Sequence, residues 1–280
     1  GFWYRTILWE VPLMALISEL FYKANHLIRL NDYAIKKLTQ EKIENYNKLG
    51  VSVLEFGTRR RHSYEVHNLI NETLKTYGGQ SFIGTSNVHF AMVNNKRPLG
   101  THAHEWFMFH AAQYGFKMAN SISLEHWTQV YSGDLGIALT DTYTTDIFFN
   151  QFDKKYSKLF DGVRHDSGDP IEFAQKVISH YIKMGIDPKS KAIVFSDSLN
   201  FEKVKRIADF CTDKIKMSFG IGTNFTNDVG LPAMNMVIKL TDTKPDNTHW
   251  QGVVKLSDEI NKNTGTPEMI ALAKEVLGNK

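Results

Sequence analysis

From residue 51 to residue 224 the chain alternates between short β-branched or aromatic runs and longer amphipathic ones, and nearly every short run closes on a polar cluster. VSVLEFGTR (51–59), SFIGTSN (81–87), RPLGTHAHE (97–105), LGIALTDTY (135–143), FDGVRHDSGDP (160–170), SKAIVFSDSLN (190–200) and KIKMSFGIGTN (214–224) read as strands. Helices are expected at 71–79, 88–96, 106–119, 170–184 and 201–209, and in the aromatic segment after residue 143. Seven strand-then-helix units call for an α/β fold with a parallel sheet and right-handed crossovers. Polar residues at every strand end converge on one rim if the sheet closes. That favours a TIM-barrel-like fold, an irregular or incomplete β/α barrel, over an open doubly wound sheet with its single crevice.

The flanks follow other rules. Residues 11–22 are apolar around most of a helix, with Pro12 suited to its first turn, and 31–48 carry an amphipathic pattern. After residue 228, MNMVIKLTD (234–242) and GVVKLSDE (252–259) look like an antiparallel pair around a polar turn, and a last helix is expected at 266–277. The expected organisation is a helical lead-in (1–50), a barrel domain (51–228) and a segment (229–280) returning to a second domain whose other part is absent from this sequence. The apolar opening GFWYRTILW, and a Lys23–Ala24 junction without turn chemistry, lead us to expect residues before Gly1 and a loop near position 24.

Composition excludes several classes. The 280 residues are 42% hydrophobic, enough for a large core, and a net charge of +3 is too balanced to argue for a nucleic-acid or membrane partner. The single cysteine, Cys211, rules out an internal disulfide and fits a reducing compartment. With no long apolar run and no signal-peptide pattern, a cytoplasmic protein is expected.

The strand ends carry the chemistry. In EFGTRRRHS, Phe56 offers a stacking face and Arg59 a fork for phosphate or carboxylate, although a run of arginines also reads as an exposed basic turn. In IGTSN, Ser86 and its neighbours either meet a ligand or cap the next helix. In GTHAHE, spacing two on a strand puts His102 and His104 on one face. They read as a metal pair, as one reactive histidine oriented by Glu105, or as satisfied structural histidines. Asp141 binds a ligand hydroxyl or caps a helix, and Asp197 follows a buried strand onto the same rim. Arg164, His165, Asp166 and Asp169 crowd around one glycine, poor filler for a loop and good equipment for a ligand. In SFGIGTN, Gly222 and Thr223 suit a backbone nest for an anion. Anion donors, ribose-suited carboxylates, an aromatic shelf and a histidine together suit a phosphorylated sugar meeting an aromatic acid.

EFGTRRRHS, GTSNV, GTHAHEW, VRHDSGDP, FSDSLN and SFGIGTNFTND, in that order, closely resemble the nicotinate phosphoribosyltransferase family, from about Ile7 to Ser257. The resemblance implies a pentosyltransferase that joins nicotinate to phosphoribosyl pyrophosphate, giving nicotinate mononucleotide and pyrophosphate on the route to NAD. It implies coupling to ATP, in the manner of a ligase, through a transient phosphohistidine, which falls on His104. Glu105 is the expected orienting partner. Phe56 matches the ring-stacking aromatic and Arg59 the arginine beside it, and Arg164 and Asp166 match the residues meeting the pyridine substituent and the ribose hydroxyls. Asp141 and Asp197 sit where the related nicotinamide enzyme places ribose or magnesium contacts, and Gly222 and Thr223 match the nest for the ribose 5′-phosphate. That relative has an aspartate where this chain has Ser86, so the serine selects the acid. The resemblance further implies Mg²⁺ carried with ATP and pyrophosphate, no tightly bound metal or organic cofactor, and a homodimer with shared sites. The family's N-terminal segment, with a tyrosine stacking on the other face of the pyridine, has no match here. The rival readings are a zinc-dependent barrel hydrolase using His102, His104, His165 and Asp197, and a non-catalytic nucleotide sensor.

Overall fold

The structure is a computed structural model and describes residues 1–246, 249–259 and 262–278. Between residues 51 and 224 its strands are β1 (Ser52–Glu55), β2 (Phe82–Thr85), β3 (Arg97–Pro98), β4 (Ile137–Leu139), β5 (Gly162–His165), β6 (Ala192–Phe195) and β7 (Lys216–Ile221). Each lies inside its expected segment and is shorter, because the polar residues that close each segment leave the ladder. The chain resolves into two compact units.

The first unit contains Gly1–Gly100, Phe195–Phe210 and Met217–Ile238. Its strands run in the order β3-β2-β1-β7 and pair in parallel, with Leu54 opposite Gly84 on one side and Gly220 on the other. Helices form where caps permit them. Asn31 accepts the Ala34 N–H to open Asp32–Leu49, which closes on Gly50 at φ +71°. Ser63 accepts the Val66 N–H to open Tyr64–Tyr77, so this helix starts well before the expected residue 71, inside what reads as a polar cluster. Glu10–Ala24 is helical through the Lys23–Ala24 junction and is followed by His26 at φ +51°.

The second unit contains Thr101–Val194, Cys211–Lys216 and Lys239–Lys280. Its strands run β6-β5-β4, with β4 and β5 parallel and Leu139 opposite Arg164. Asp169 caps Pro170–Lys183 through the Ile171 and Glu172 N–H groups, with Pro170 in the first turn where its missing N–H costs nothing. The C-terminal segment is part of this unit's core. Val254, Leu256 and Ala273 pack with Phe107, Leu139 and Tyr143. Among the described residues the expected antiparallel pair is limited to Asp242–Thr243 with Gln251–Gly252, and Lys255 makes a separate antiparallel bridge to Thr264. Residues 247–248 of the turn between them lie outside the described residues. The last helix, Pro267–Leu277, stands where expected, capped by Thr266 and closed by Gly278 at φ +69°. Among the described residues no helix is long and apolar enough to cross a membrane.

Candidate active site

In the second unit the anticipated residues converge on one histidine. The expected strand at 97–105 stops at Pro98, and His104 is the first residue of the helix His104–Tyr114. His102 and His104 therefore do not share a strand face. His102 is buried against Trp127, ring centroids 4.2 Å apart, with Phe107 and Phe160 beyond. Burial, with the Arg164 charge adding to it, pushes its pKa down to about 3, so it is a neutral core side chain.

His104 is 6% exposed and held at both ring nitrogens. Nδ1 lies 3.1 Å from the Thr142 hydroxyl, and Nε2 lies 3.1 Å from Asp166 Oδ2 and 3.8 Å from Asp141 Oδ1. Burial lowers its pKa, and Asp141 and Asp166 offset part of that. The ring is therefore neutral at pH 7. Burial would raise the Asp166 carboxyl, but Arg164 beside it, at 2.7 Å, and the His104 hydrogen bond hold it well below the usual carboxylate range. An ionised Asp166 only accepts, so the proton sits on Nε2 and Nδ1 accepts from Thr142. The Arg164 guanidinium also donates to Thr101 Oγ1 at 2.8 Å, which fixes its plane.

Asp141, 1% exposed, accepts a 2.7 Å hydrogen bond from Ser167 and faces Lys255 Nζ at 3.5 Å. Asp258, held by the Thr145 N–H and hydroxyl, donates its own N–H to Ser167. Glu105 does not orient His104. Its carboxylate pairs with Lys239 at 2.9 Å, because consecutive helical residues point about 100° apart. The orienting role belongs to Asp166 and Thr142. Thr142 adjoins Asp141 in LTDTY and was within reach of sequence reasoning. Lys255, Lys239 and Asp258 arrive from the C-terminal segment and carry no local signal.

Among the described residues, the metal-capable cluster is His104, Asp141 and Asp166, with ligand atoms within 4.8 Å of one another. It holds one histidine and two carboxylates already matched by Arg164 and Lys255. Zinc sites favour nitrogen and sulfur donors, so a zinc hydrolase centre does not fit, whereas carboxylate oxygens suit a hard cation shared with phosphates.

The first unit holds a second group. Phe56, partly exposed, lies over β7 because Gly220 leaves room: a Cβ there would stand 2.6 Å from the ring. We expect Gly220→Ala to displace the ring and cost about 1–3 kcal/mol by overpacking, read as a lowered Tm. Arg59 is held by Glu10 at 2.6 Å, and Ser86 is exposed at the end of β2. Gly222, at φ −91°, precedes the single helical turn Thr223–Thr226. Asp197 is half-buried and accepts from Ser198.

The model of the nicotinate phosphoribosyltransferase (NAPRTase) family matches residues 51–280. The chain belongs to the nicotinate phosphoribosyltransferase family. A nicotinate phosphoribosyltransferase from Chromohalobacter salexigens is 61% identical over 277 residues, covering 99% of this chain and 71% of the relative. Another family member, from Desulforapulum autotrophicum, is 47% identical over 279 residues, covering 99% and 72%. The crystal structure of the nicotinate phosphoribosyltransferase from Porphyromonas gingivalis superposes with a TM-score of 0.97 at 47% identity, over 99% of this chain and 72% of that one. The fold is thus the irregular parallel α/β type of the nicotinate phosphoribosyltransferases.

Proposed function

We propose that this protein transfers the phosphoribosyl group of phosphoribosyl pyrophosphate to nicotinate, and that ATP drives the transfer through phosphorylation of His104. The observation that carries the reading is the buried His104 ring held between Thr142 and an ionised, arginine-backed Asp166. Once the Thr142 hydroxyl turns aside, the Nδ1 lone pair it had engaged attacks the γ-phosphorus of ATP, the Pγ–O bond breaks, and ADP departs. Asp166 keeps the Nε2 proton and balances the charge on the phosphorylated ring, and water later releases phosphate.

In the transfer step the pyridine nitrogen bonds to C1′ while the C1′–O bond breaks, and pyrophosphate leaves with the electron pair. An oxocarbenium-like ribosyl centre needs little covalent help. Asp141 and Asp166 favour its positive charge and suit ribose hydroxyls, Arg164 and Lys255 favour the anions, and Phe56 offers the ring a stacking face. Gly222 and Thr223 suit the 5′-phosphate, and Arg59 and Asp197 serve as substrate contacts. Asp141 and Asp166 are the residues that would hold Mg²⁺, and the ion would supply positive charge for the departing pyrophosphate.

The product is a pyridine mononucleotide, which fits the route to NAD in a reducing, cytoplasmic setting. A homodimer fits the exposed apolar side chains of Phe2, Leu8, Trp9, Leu16, Leu20 and Ile28.

Incubation with ATP labelled in its γ-phosphate tests the coupling directly: the wild-type protein is expected to carry an acid-labile, base-stable label, and an unlabelled protein would contradict it. Selectivity for the acid rests on Ser86, whose hydroxyl donates to a carboxylate that an aspartate would repel. Ser86→Asp is expected to lower kcat/KM for nicotinate by more than about tenfold and to improve nicotinamide relative to it, because a mispaired like charge costs several kcal/mol. Unchanged discrimination would remove Ser86 from the selectivity.

A further inference from the structure

At the end of β1 the Glu55 carboxylate is completely buried beside an equally buried His67, Oε2 to Nε2 3.0 Å. No step of the transfer uses this pair. A buried carboxylate is expensive unless its oxygens are engaged, and both of these are. Oε1 accepts the Gly57 N–H, and Oε2 also accepts the Thr85 hydroxyl at 2.5 Å. His67 presents its nitrogen from the first turns of Tyr64–Tyr77.

The pattern of these bonds is specific. Phe56 stands between Glu55 and Gly57, and both of those residues are tied to the one carboxylate. Ser86 stands between Thr85 and Asn87. Thr85 donates to Glu55, and its oxygen in turn accepts the Asn87 N–H at 3.0 Å. The Ser86 N–H itself donates to the Glu55 carbonyl at 2.8 Å. The two side chains assigned to the pyridine ring are thus each flanked on both sides by groups that one carboxylate anchors.

We propose that Glu55, held by His67 and relayed through Thr85, is a positioning residue that fixes Phe56 relative to Ser86, and so sets the register between the ring-stacking face and the group that receives the pyridine's carboxylate. Glu55 itself makes no contact with substrate, and its role presupposes the nicotinate reading above. A displacement of about 1 Å between two groups that grip one small rigid ligand is enough to cost up to about a hundredfold.

Glu55→Gln puts an amide N–H where donors already point and so destabilises the fold as well, which makes Thr85 the sharper probe. Thr85→Val keeps the shape of the side chain and removes both the donor to Glu55 and the acceptor for Asn87. Steady-state kinetics of the full-length enzyme are then measured with nicotinate and phosphoribosyl pyrophosphate varied in turn. We expect KM for nicotinate to rise about tenfold in Thr85→Val, KM for phosphoribosyl pyrophosphate to stay within about twofold, discrimination against nicotinamide to fall, and Thr85→Ser to restore the wild-type values. A nicotinate KM that does not move would overturn the proposal. So would equal rises in both KM values, which is what general loosening of the fold produces, or failure of Thr85→Ser to restore them. Absence of any turnover by the wild-type enzyme would be a different result: it would overturn the nicotinate reading itself, and the positioning role with it.

Discussion

His104→Ala is expected to abolish ATP-stimulated turnover while leaving slow ATP-independent formation of nicotinate mononucleotide. The ring is the nucleophile toward ATP, and none of the neighbours described above can replace it: Asp141 and Asp166 are carboxylates committed to Ser167, Lys255 and Arg164, and Thr142 is a hydroxyl whose base would be the lost ring. Groups that only position the sugar and the leaving pyrophosphate survive the change, so basal transfer persists. The stimulated rate should fall by about 10²-fold or more, to the level measured without ATP. Asp166 keeps its Arg164 partner at 2.7 Å, so the variant should remain folded. The check is initial rate with and without ATP, at saturating nicotinate and phosphoribosyl pyrophosphate. ATP acceleration equal to wild type would remove His104 from the coupling.

Asp166→Asn is the second large effect, and it tests the protonation state of the ring. An amide NH₂ facing Nε2 makes that nitrogen an acceptor and moves the ring proton to Nδ1, where the attacking lone pair is needed. A comparable carboxylate-to-amide change beside the catalytic histidine of a serine protease costs about 10⁴ in kcat through the same tautomer reversal. Here we expect a loss of about 10³ in the ATP-stimulated rate, read as kcat, with a smaller loss of basal transfer. The partly buried Arg164 loses its carboxylate as well, so a lower Tm accompanies the change.

The pH dependence follows with a definite sign. Burial lowers the His104 pKa below 6.5, so the neutral, nucleophilic ring persists at mildly acidic pH, and ATP stimulation is lost only as pH falls through that depressed value. Asp166 is one of the groups that raise it. In Asp166→Asn the acid limb of the pH–rate profile therefore moves to lower pH even as the rate drops.

The alternation of strands and helices was legible in the sequence because β-branched runs and amphipathic runs have different periods. His104, Asp141, Arg164 and Asp166 were legible because charged residues at strand ends have few structural uses. Other features were hidden, each for a physical reason. His102 and His104 look equivalent in sequence, and only the packing of the distant Trp127 shows that His102 is a core side chain. Glu105 adjoins His104 in sequence, and helical geometry turns it away to Lys239. Lys255 and Asp258 reach the His104 cluster from a segment whose pattern suggested a return to another domain, a long-range contact that local periodicity cannot encode. The Glu55–His67 pair was invisible for a related reason, since a glutamate before a phenylalanine says nothing of its burial.

The most direct measurement is formation of nicotinate mononucleotide from nicotinate and phosphoribosyl pyrophosphate by the full-length protein with Mg²⁺, in the presence and absence of ATP. Slow product without ATP and clearly faster product with it is the predicted result. No product at saturating substrates, or a rate that ATP does not change, would contradict the assignment of His104 as the coupling residue of a nicotinate phosphoribosyltransferase.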